Sequence, residues 1–239
     1  MTFTGEHSWE VLEVVPAEVM TRVPSSWAAK SRAPLPPGVQ PVTPRLAATL
    51  VLVREGADPG GDGGLQVWLM RRSGGMQFAG VWAFPGGKVE PVDERQPDPL
   101  LACVLRESRE ETGLDLSATE PIPWARWITP DTSPYRFDTW FFLLPIPAGL
   151  EPRNATSEAD LAGWQSPGAV LAEDRAAADG EVTLLPPTRS VLTELALLGS
   201  LDRLRAAAAR RVIEPVSPRL VRQGERWRAS HPRRDGSWT

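Results

Sequence analysis

Residues Gly86 to Leu114 read GGKVEPVDERQPDPLLACVLRESREETGL, and this stretch decides the fold. Asp98 followed by Pro99 has the form of an N-cap and a first helical position, and Gly113 has the form of a stop. The spacing predicts a helix over Pro99–Thr112. At about 100° per residue, Leu101, Val104, Leu105, Ser108 and Thr112 share one stripe. Glu107, Glu110 and Glu111 gather on a neighbouring face, at i, i+3 and i+4. Carboxylates so close repel by a few tenths of a kcal/mol per pair. A divalent cation reverses that sign, and oxygen-only ligands suit Mg²⁺ or Mn²⁺. The same residues also make an ordinary solvated acidic face, with Arg106 and Arg109 as ion-pair partners. The glycines before and after the helix favour the first reading, since backbone without Cβ atoms can approach a metal or a phosphate closely.

Outward from this helix the pattern is mixed. Arg45–Arg54 (RLAATLVLVR) is apolar and β-branched and predicts a buried strand. Leu65–Arg71 predicts a second strand antiparallel to it, and Pro123–Thr129 and Phe137–Leu144 two more. Gly74–Gly87, with five glycines in fourteen residues, predicts a loop. A short helix is expected around Pro167–Asp174 and a longer one over Thr188–Arg211, broken at Gly199-Ser200. The alternation predicts an α/β class. The expected organisation is an N-terminal arm over 1–43, a main domain over 44–211 ending in a helical extension, and a basic irregular tail over 212–239.

Composition narrows the chemistry. The 25 Pro and 20 Gly make the chain loop-rich while leaving enough apolar sequence for a core. One cysteine, Cys103, rules out an intramolecular disulfide, and two histidines at opposite ends leave little for a His-based metal site or a catalytic triad. Cys103 lies among carboxylates that raise a thiol pKa, so it reads as a packing residue rather than a nucleophile. No apolar run approaches the roughly 18 residues of a membrane span, and the first residues do not form a signal peptide, so a cytoplasmic protein is expected. The net charge of −4 argues against a nucleic-acid coat, and the basic residues beyond Arg211 read as a solvated tail with few interleaved aromatics.

The Gly86–Leu114 stretch resembles the Nudix box, the signature of hydrolases that cleave nucleoside diphosphates linked to another group. Gly87 matches the first glycine of that pattern, and Arg106-Glu107-Ser108-Arg109-Glu110-Glu111-Thr112-Gly113-Leu114 matches its second half at each fixed polar or glycine position. Three departures stand out. Asp93 replaces a Glu, Ser108 replaces an aliphatic residue, and twelve residues rather than seven separate Asp93 from Arg106. The resemblance implies an α/β/α sandwich with a mixed sheet. It implies metal ligation by Glu107, Glu110 and Glu111 with the Gly86 carbonyl, and orientation of the glutamates by Arg106. It also implies a further acidic residue outside the box, for which Glu158 is the candidate and Asp160 and Glu151 are competitors. The implied reaction is metal-assisted hydrolysis, in which a cation makes hydroxide available near neutral pH and offsets charge on the diphosphate.

The substrate is less constrained. Arg72-Ser73 before the glycine loop, and the later LLPPTRSVLTEL (Leu184–Leu195), resemble a branch acting on coenzyme A or its esters. ADP-ribose, NADH and nucleoside triphosphates are alternative substrates, and a non-catalytic nucleotide-binding module is the alternative from another class. Arg72 and Lys88 are candidates for phosphate contacts, or ordinary surface charges. Trp82 and Trp127 are candidates for stacking on a base, or core residues. The expected partner is a small nucleoside diphosphate derivative. Neither a membrane nor nucleic acid is expected, and a second copy of the chain is the one protein partner considered.

Overall fold

The computed structural model describes residues 35, 37–56, 64–74, 79–146, 149–177, 183–223 and 226–230, the last strands by their backbone alone. Of the expected N-terminal arm over 1–43, residues 1–34 and 36 lie outside this description. The strands are β1 (Arg45–Glu55), β2 (Leu65–Arg72), β3 (Trp82–Ala83), β4 (Gly86–Lys88), β5 (Ile122–Ile128), β6 (Phe137–Pro145), β7 (Ala159–Gln165), β8 (Pro215–Val216), β9 (Arg219–Gln223) and β10 (Arg226–Ser230). The helices are α1 (Pro99–Thr112), α2 (Pro167–Ala176), α3 (Pro186–Leu198) and α4 (Leu201–Ala208).

One mixed sheet runs β3-β2-β1-β6-β5-β8, with β4 added to β1 and β7 to β2. β1 lies parallel to β6, from Arg45↔Phe137 to Val53↔Pro145, and antiparallel to both β2 and β4. Its alternation explains two cores. Leu50 and Leu52 face one side with Cys103 and Val104 of α1. Val51 and Val53 face the other with Val170, Val191, Leu192, Leu195 and Leu204 of α2, α3 and α4. A strand whose successive side chains are all buried needs cover on both faces, and this is the α/β/α sandwich.

The expected strands and helices are present, with ends shifted by one to three residues. The expected long helix is split by Gly199, which adopts φ 71° at the end of α3 while Ser200 caps α4. Three segments differ. The glycine-rich loop contains β3, held by its pairing with β2, and β4, where Gly86 lets the backbone run close against Ala48 and Thr49. β7 (ADLAGWQ), poor in β-formers, is held as an edge strand by its pairing with β2. The tail expected to be irregular supplies β8, which pairs with β5, and the β9–β10 hairpin. Two five-residue strands flank Gly224-Glu225, and a two-residue loop opening on Gly is a strong hairpin signal.

The far helices are tied down by buried ion pairs. Arg189 Nε donates to Asp174 Oδ2 at 2.9 Å, and Asp174 also accepts from Thr183 Oγ1. This braces residues 183–184 beside β3, where Thr183 O accepts from Trp82 N at 2.8 Å. Arg211 Nη2 lies 2.9 Å from Glu194 Oε2, with side-chain exposures of 8% and 2%, and its guanidinium sits 3.9 Å over the Trp124 ring. Removing one member of such a pair strands a buried charge. Arg211→Ala should therefore cost about 3–5 kcal/mol, measured by urea unfolding. A loss below about 1 kcal/mol would refute the assignment.

Candidate active site

The site is built on α1. Asp98 Oδ1 accepts from Leu101 N at 3.0 Å, Pro99 occupies the first turn, and Gly113 closes the helix at φ 72°. Gly113 cannot be replaced without cost, since its φ of 72° is strained for any residue with a Cβ. These ends set the helix register and therefore the direction of the glutamates.

Glu111 is buried (8% exposed), and its Oε2 accepts from Gly86 N at 2.7 Å. Glu107 packs on the next glycine: a Cβ at Gly87 would lie 2.6 Å from the Glu107 carboxyl carbon. Gly87 thus leaves the space into which the Glu107 carboxylate folds, and Gly86 supplies the amide that holds Glu111. Glu110 is half exposed and reaches Arg106 Nη1 at 3.1 Å.

Arg106 is the hub. Its Nε and Nη2 donate to the two oxygens of Asp93 at 3.0 and 2.8 Å, and its Nη1 donates to Glu107 and Glu110 at 3.0 and 3.1 Å. Asp93 is 2% exposed and also accepts from Glu90 N. Its shorter side chain and its distance along the chain from Arg106 therefore do not take it out of the site. Its role as the anchor of Arg106 was not evident from spacing, because the turns over 91–98 that bring it back carry no periodic signal.

The electrostatics are uneven. Burial raises Asp93, but hydrogen bonds from Arg106 and Glu90 N, with the Arg106 charge, bring it below the ordinary carboxylate range. Glu107 is raised, by burial first, against the opposing pull of Arg106. Glu111 is pushed up to about 8, by burial first and then by the negative charges of Glu107 and Glu158, with Gly86 N and Arg72 opposing. The carboxylate form of Glu111 is therefore disfavoured unless further positive charge faces it.

Glu158 reaches this place through its loop. Arg153 N and Ala155 N donate to the Thr112 and Glu111 carbonyls, each at 3.0 Å, and Ser73 N donates to Glu158 O at 2.8 Å. The loop after β6 is thereby stitched to the end of α1 and to the end of β2, so Glu158 and Arg72 both act on Glu111. The two competing acids are engaged elsewhere: Asp160 pairs with Arg71, and Glu151 with Arg54 and Trp164. Lys88 is exposed, 3.6 Å from Glu90. Trp82 is not at the site. It is 6% exposed in the core on the opposite sheet face and offers no ring for stacking, because β3 pairs with β2 and turns it inward. Trp127 is likewise in that core.

Cys103 is fully buried, and its Sγ lies 3.5 Å from Gly87 O. Burial, with Asp93 and Glu107 adding to it, pushes its thiol up to about 12. A thiol reagent at pH 8 should leave the native protein unlabelled and label one equivalent after denaturation. Labelling of the native protein at the rate of a free thiol would contradict this placement.

Among the described residues, no three acidic, His or Cys side chains are already closed around one point, and Arg106 holds Glu107 and Glu110. The donor set is nevertheless oxygen only, with the buried Glu111 and the half-buried Glu107 side by side. That chemistry fits a hard divalent cation.

Comparison with known proteins agrees with this geometry. The family model of the NUDIX domain matches residues 43–185, more than half of the chain. A NUDIX hydrolase from Alicyclobacillus acidocaldarius is 28% identical with a TM-score of 0.59, the match covering 73% of this chain and 99% of that one. A MutT NUDIX hydrolase from Burkholderia pseudomallei is 22% identical (TM-score 0.43, 64% and 98% covered). The NUDIX domain of Shewanella oneidensis NrtR, solved with ADP ribose, is 16% identical (TM-score 0.48, 72% and 96% covered). No curated protein matches the chain in sequence.

Proposed function

The chain belongs to the NUDIX domain family, and from this we propose that it is a divalent-metal-dependent hydrolase cleaving the diphosphate linkage of a nucleoside diphosphate derivative. Hydrolases of this family act on nucleoside diphosphate derivatives generally and typically use Mg²⁺ or Mn²⁺. The observation that carries the reading is the pair of half-buried Glu107 and buried Glu111, seated on Gly87 and Gly86 with Glu158 and Arg72 at its edge.

In this reading Glu107, Glu110 and Glu111 hold the cation, with the Gly86 carbonyl as a further ligand. Bound there, the cation supplies charge neutralisation and an acidified water. Arg106 is a positioning residue, fixed by Asp93 and holding two of the three glutamates. Glu158 accepts a proton at its carboxylate as water adds to one phosphorus. Arg72 offsets charge on the diphosphate oxygens, and Lys88 stands where it can do the same. The bridging P–O bond breaks and two phosphate-bearing products leave. Coenzyme A or an acyl-CoA is the first substrate to try, since Arg72 and Ser73 border Glu158 and Glu111, where they can read the substrate.

The test is incubation of the purified chain with Mg²⁺ or Mn²⁺ and a panel of CoA, acetyl-CoA, NADH, ADP-ribose, dinucleoside polyphosphates and nucleoside triphosphates. Products are identified by mass. Release of 3′,5′-ADP and 4′-phosphopantetheine from CoA supports the whole reading. Preferential cleavage of another compound keeps the hydrolase and rejects the CoA assignment. Tight binding with no cleavage under either metal replaces the hydrolase with a nucleotide-binding module.

A further inference from the structure

The segment LLPPTRSVLTEL (Leu184–Leu195) works on the far side of the sheet from α1. Pro186 and Pro187 open α3, which places Arg189 in its first turn. Arg189 makes a two-point contact with Asp174 near the end of α2: Nε donates to Oδ2 at 2.9 Å and Nη2 to Oδ1 at 3.2 Å. Both residues are 3% exposed, on the two helices that supply Val170, Leu171, Val191 and Leu192 to the far core. Apolar residues of the same volume hold two helices together at least as well as a buried ion pair does. What they cannot do is grip backbone. Asp174 Oδ1 accepts from Thr183 Oγ1 and Thr183 N, at 2.9 and 3.3 Å, and Arg189 Nη2 donates to Leu184 O at 3.2 Å. Both charges are thus turned on residues 183–184, which belong to no helix or strand of their own.

Residues 183–184 in turn hold β3. Thr183 O accepts from Trp82 N at 2.8 Å, and Leu184 bridges in parallel to Trp82. β3 has only two residues, paired on its other edge with Met70 and Arg71 of β2. A pair so short needs a second neighbour. The link from β3 to the glutamates is stiff. Phe84 is buried in the far core, Pro85 has a fixed φ, and Pro85 O accepts from Leu50 N at 2.8 Å. Gly86 follows, its N–H on Glu111 Oε2 at 2.7 Å and its backbone so close to β1 that a Cβ would lie 2.6 Å from Thr49 Cα. A shift of β3 is therefore carried to the amide that holds Glu111.

We propose that Asp174 and Arg189 are positioning residues for the glutamates of α1. Through Thr183 and β3 they hold the Gly86 amide against Glu111, and so set the affinity of the box carboxylates for a divalent cation. The cation part rests on the hydrolase reading; the placement of Gly86 does not.

The test compares the full unmodified chain with Asp174→Leu plus Arg189→Met, which fills the space without charge and keeps the helices packed. Two quantities are read: the Kd for Mn²⁺ alone, from the EPR signal of the free ion, and the Gly86 amide proton shift in metal-free, ¹⁵N-glycine-labelled protein. Expected are a melting temperature equal to or above that of the unmodified chain, a Kd raised about tenfold, and an upfield move of the Gly86 proton as its bond to Glu111 lengthens. Thr183→Val should act in the same direction to a smaller degree, and Thr183→Ser, which keeps the hydroxyl, should retain both readings. Glu194→Leu plus Arg211→Met, an equally buried pair that grips Trp124 rather than β3, should change neither. A folded double variant with either reading unchanged overturns the proposal. So does an equal loss from the Glu194 and Arg211 change, which would show stability alone at work. If the double variant does not fold, Thr183→Val decides on the same two readings. If the unmodified chain binds no Mn²⁺, the hydrolase reading fails, and the Gly86 shift alone then upholds or overturns the positioning.

Discussion

Glu111→Gln should lower turnover on whichever diphosphate is cleaved by about 10²–10³-fold while leaving the protein folded. Adding Glu110→Gln should deepen the loss. The change is isosteric, and a Gln oxygen can still accept from Gly86 N, which now meets Glu111 Oε2 at 2.7 Å. The same change removes a buried acid that Glu107 and Glu158 both oppose. The melting temperature should therefore hold or rise as activity falls. That combination is the signature of a residue kept for chemistry at some cost in stability. Turnover by product mass and a thermal melt on the same sample check it. Turnover within a few-fold of the unmodified chain would remove Glu111 from the machinery, and a lowered melting temperature would make its role structural.

Arg106→Ala should be the most destabilising single change near the site, at about 3–5 kcal/mol in urea unfolding at pH 7. The reason is local: Asp93 is 2% exposed and receives both of its charged hydrogen bonds from Arg106. Arg106→Lys should recover only part of this, since an ammonium cannot reproduce the forked contact. The pH dependence has a definite sign. Asp93 titrates below its unfolded value in the folded chain, so its contribution is complete above about pH 4 and is lost as pH falls through the lowered value. Asp93→Asn should remove that part of the acid sensitivity. A loss below about 1 kcal/mol for Arg106→Ala would mean that Asp93 finds another partner.

Much of the fold could be read locally. α1 runs over Pro99–Thr112 as its caps predict, because Asp98, Pro99 and Gly113 act on their own neighbours. β1 and β6 are apolar enough to require burial on both faces. Segments without a strong local pattern escaped. β7 and β3 exist through their pairing with β2, and β4 through Gly86, which allows close backbone approach to β1.

The site divides in the same way. The sequence by itself determined the helix, the i, i+3, i+4 spacing of Glu107, Glu110 and Glu111, and the glycines before them, since helical geometry follows from residues within a few positions. Only the tertiary structure decided the rest. It buried Glu111 and left Glu110 half exposed, and it brought Asp93 back onto Arg106. It carried Glu158 to the helix end through Arg153 and Ala155, and turned Trp82 into the core. Each of these depends on which strand pairs with which, and pairing is settled by the packing of residues far apart in the chain.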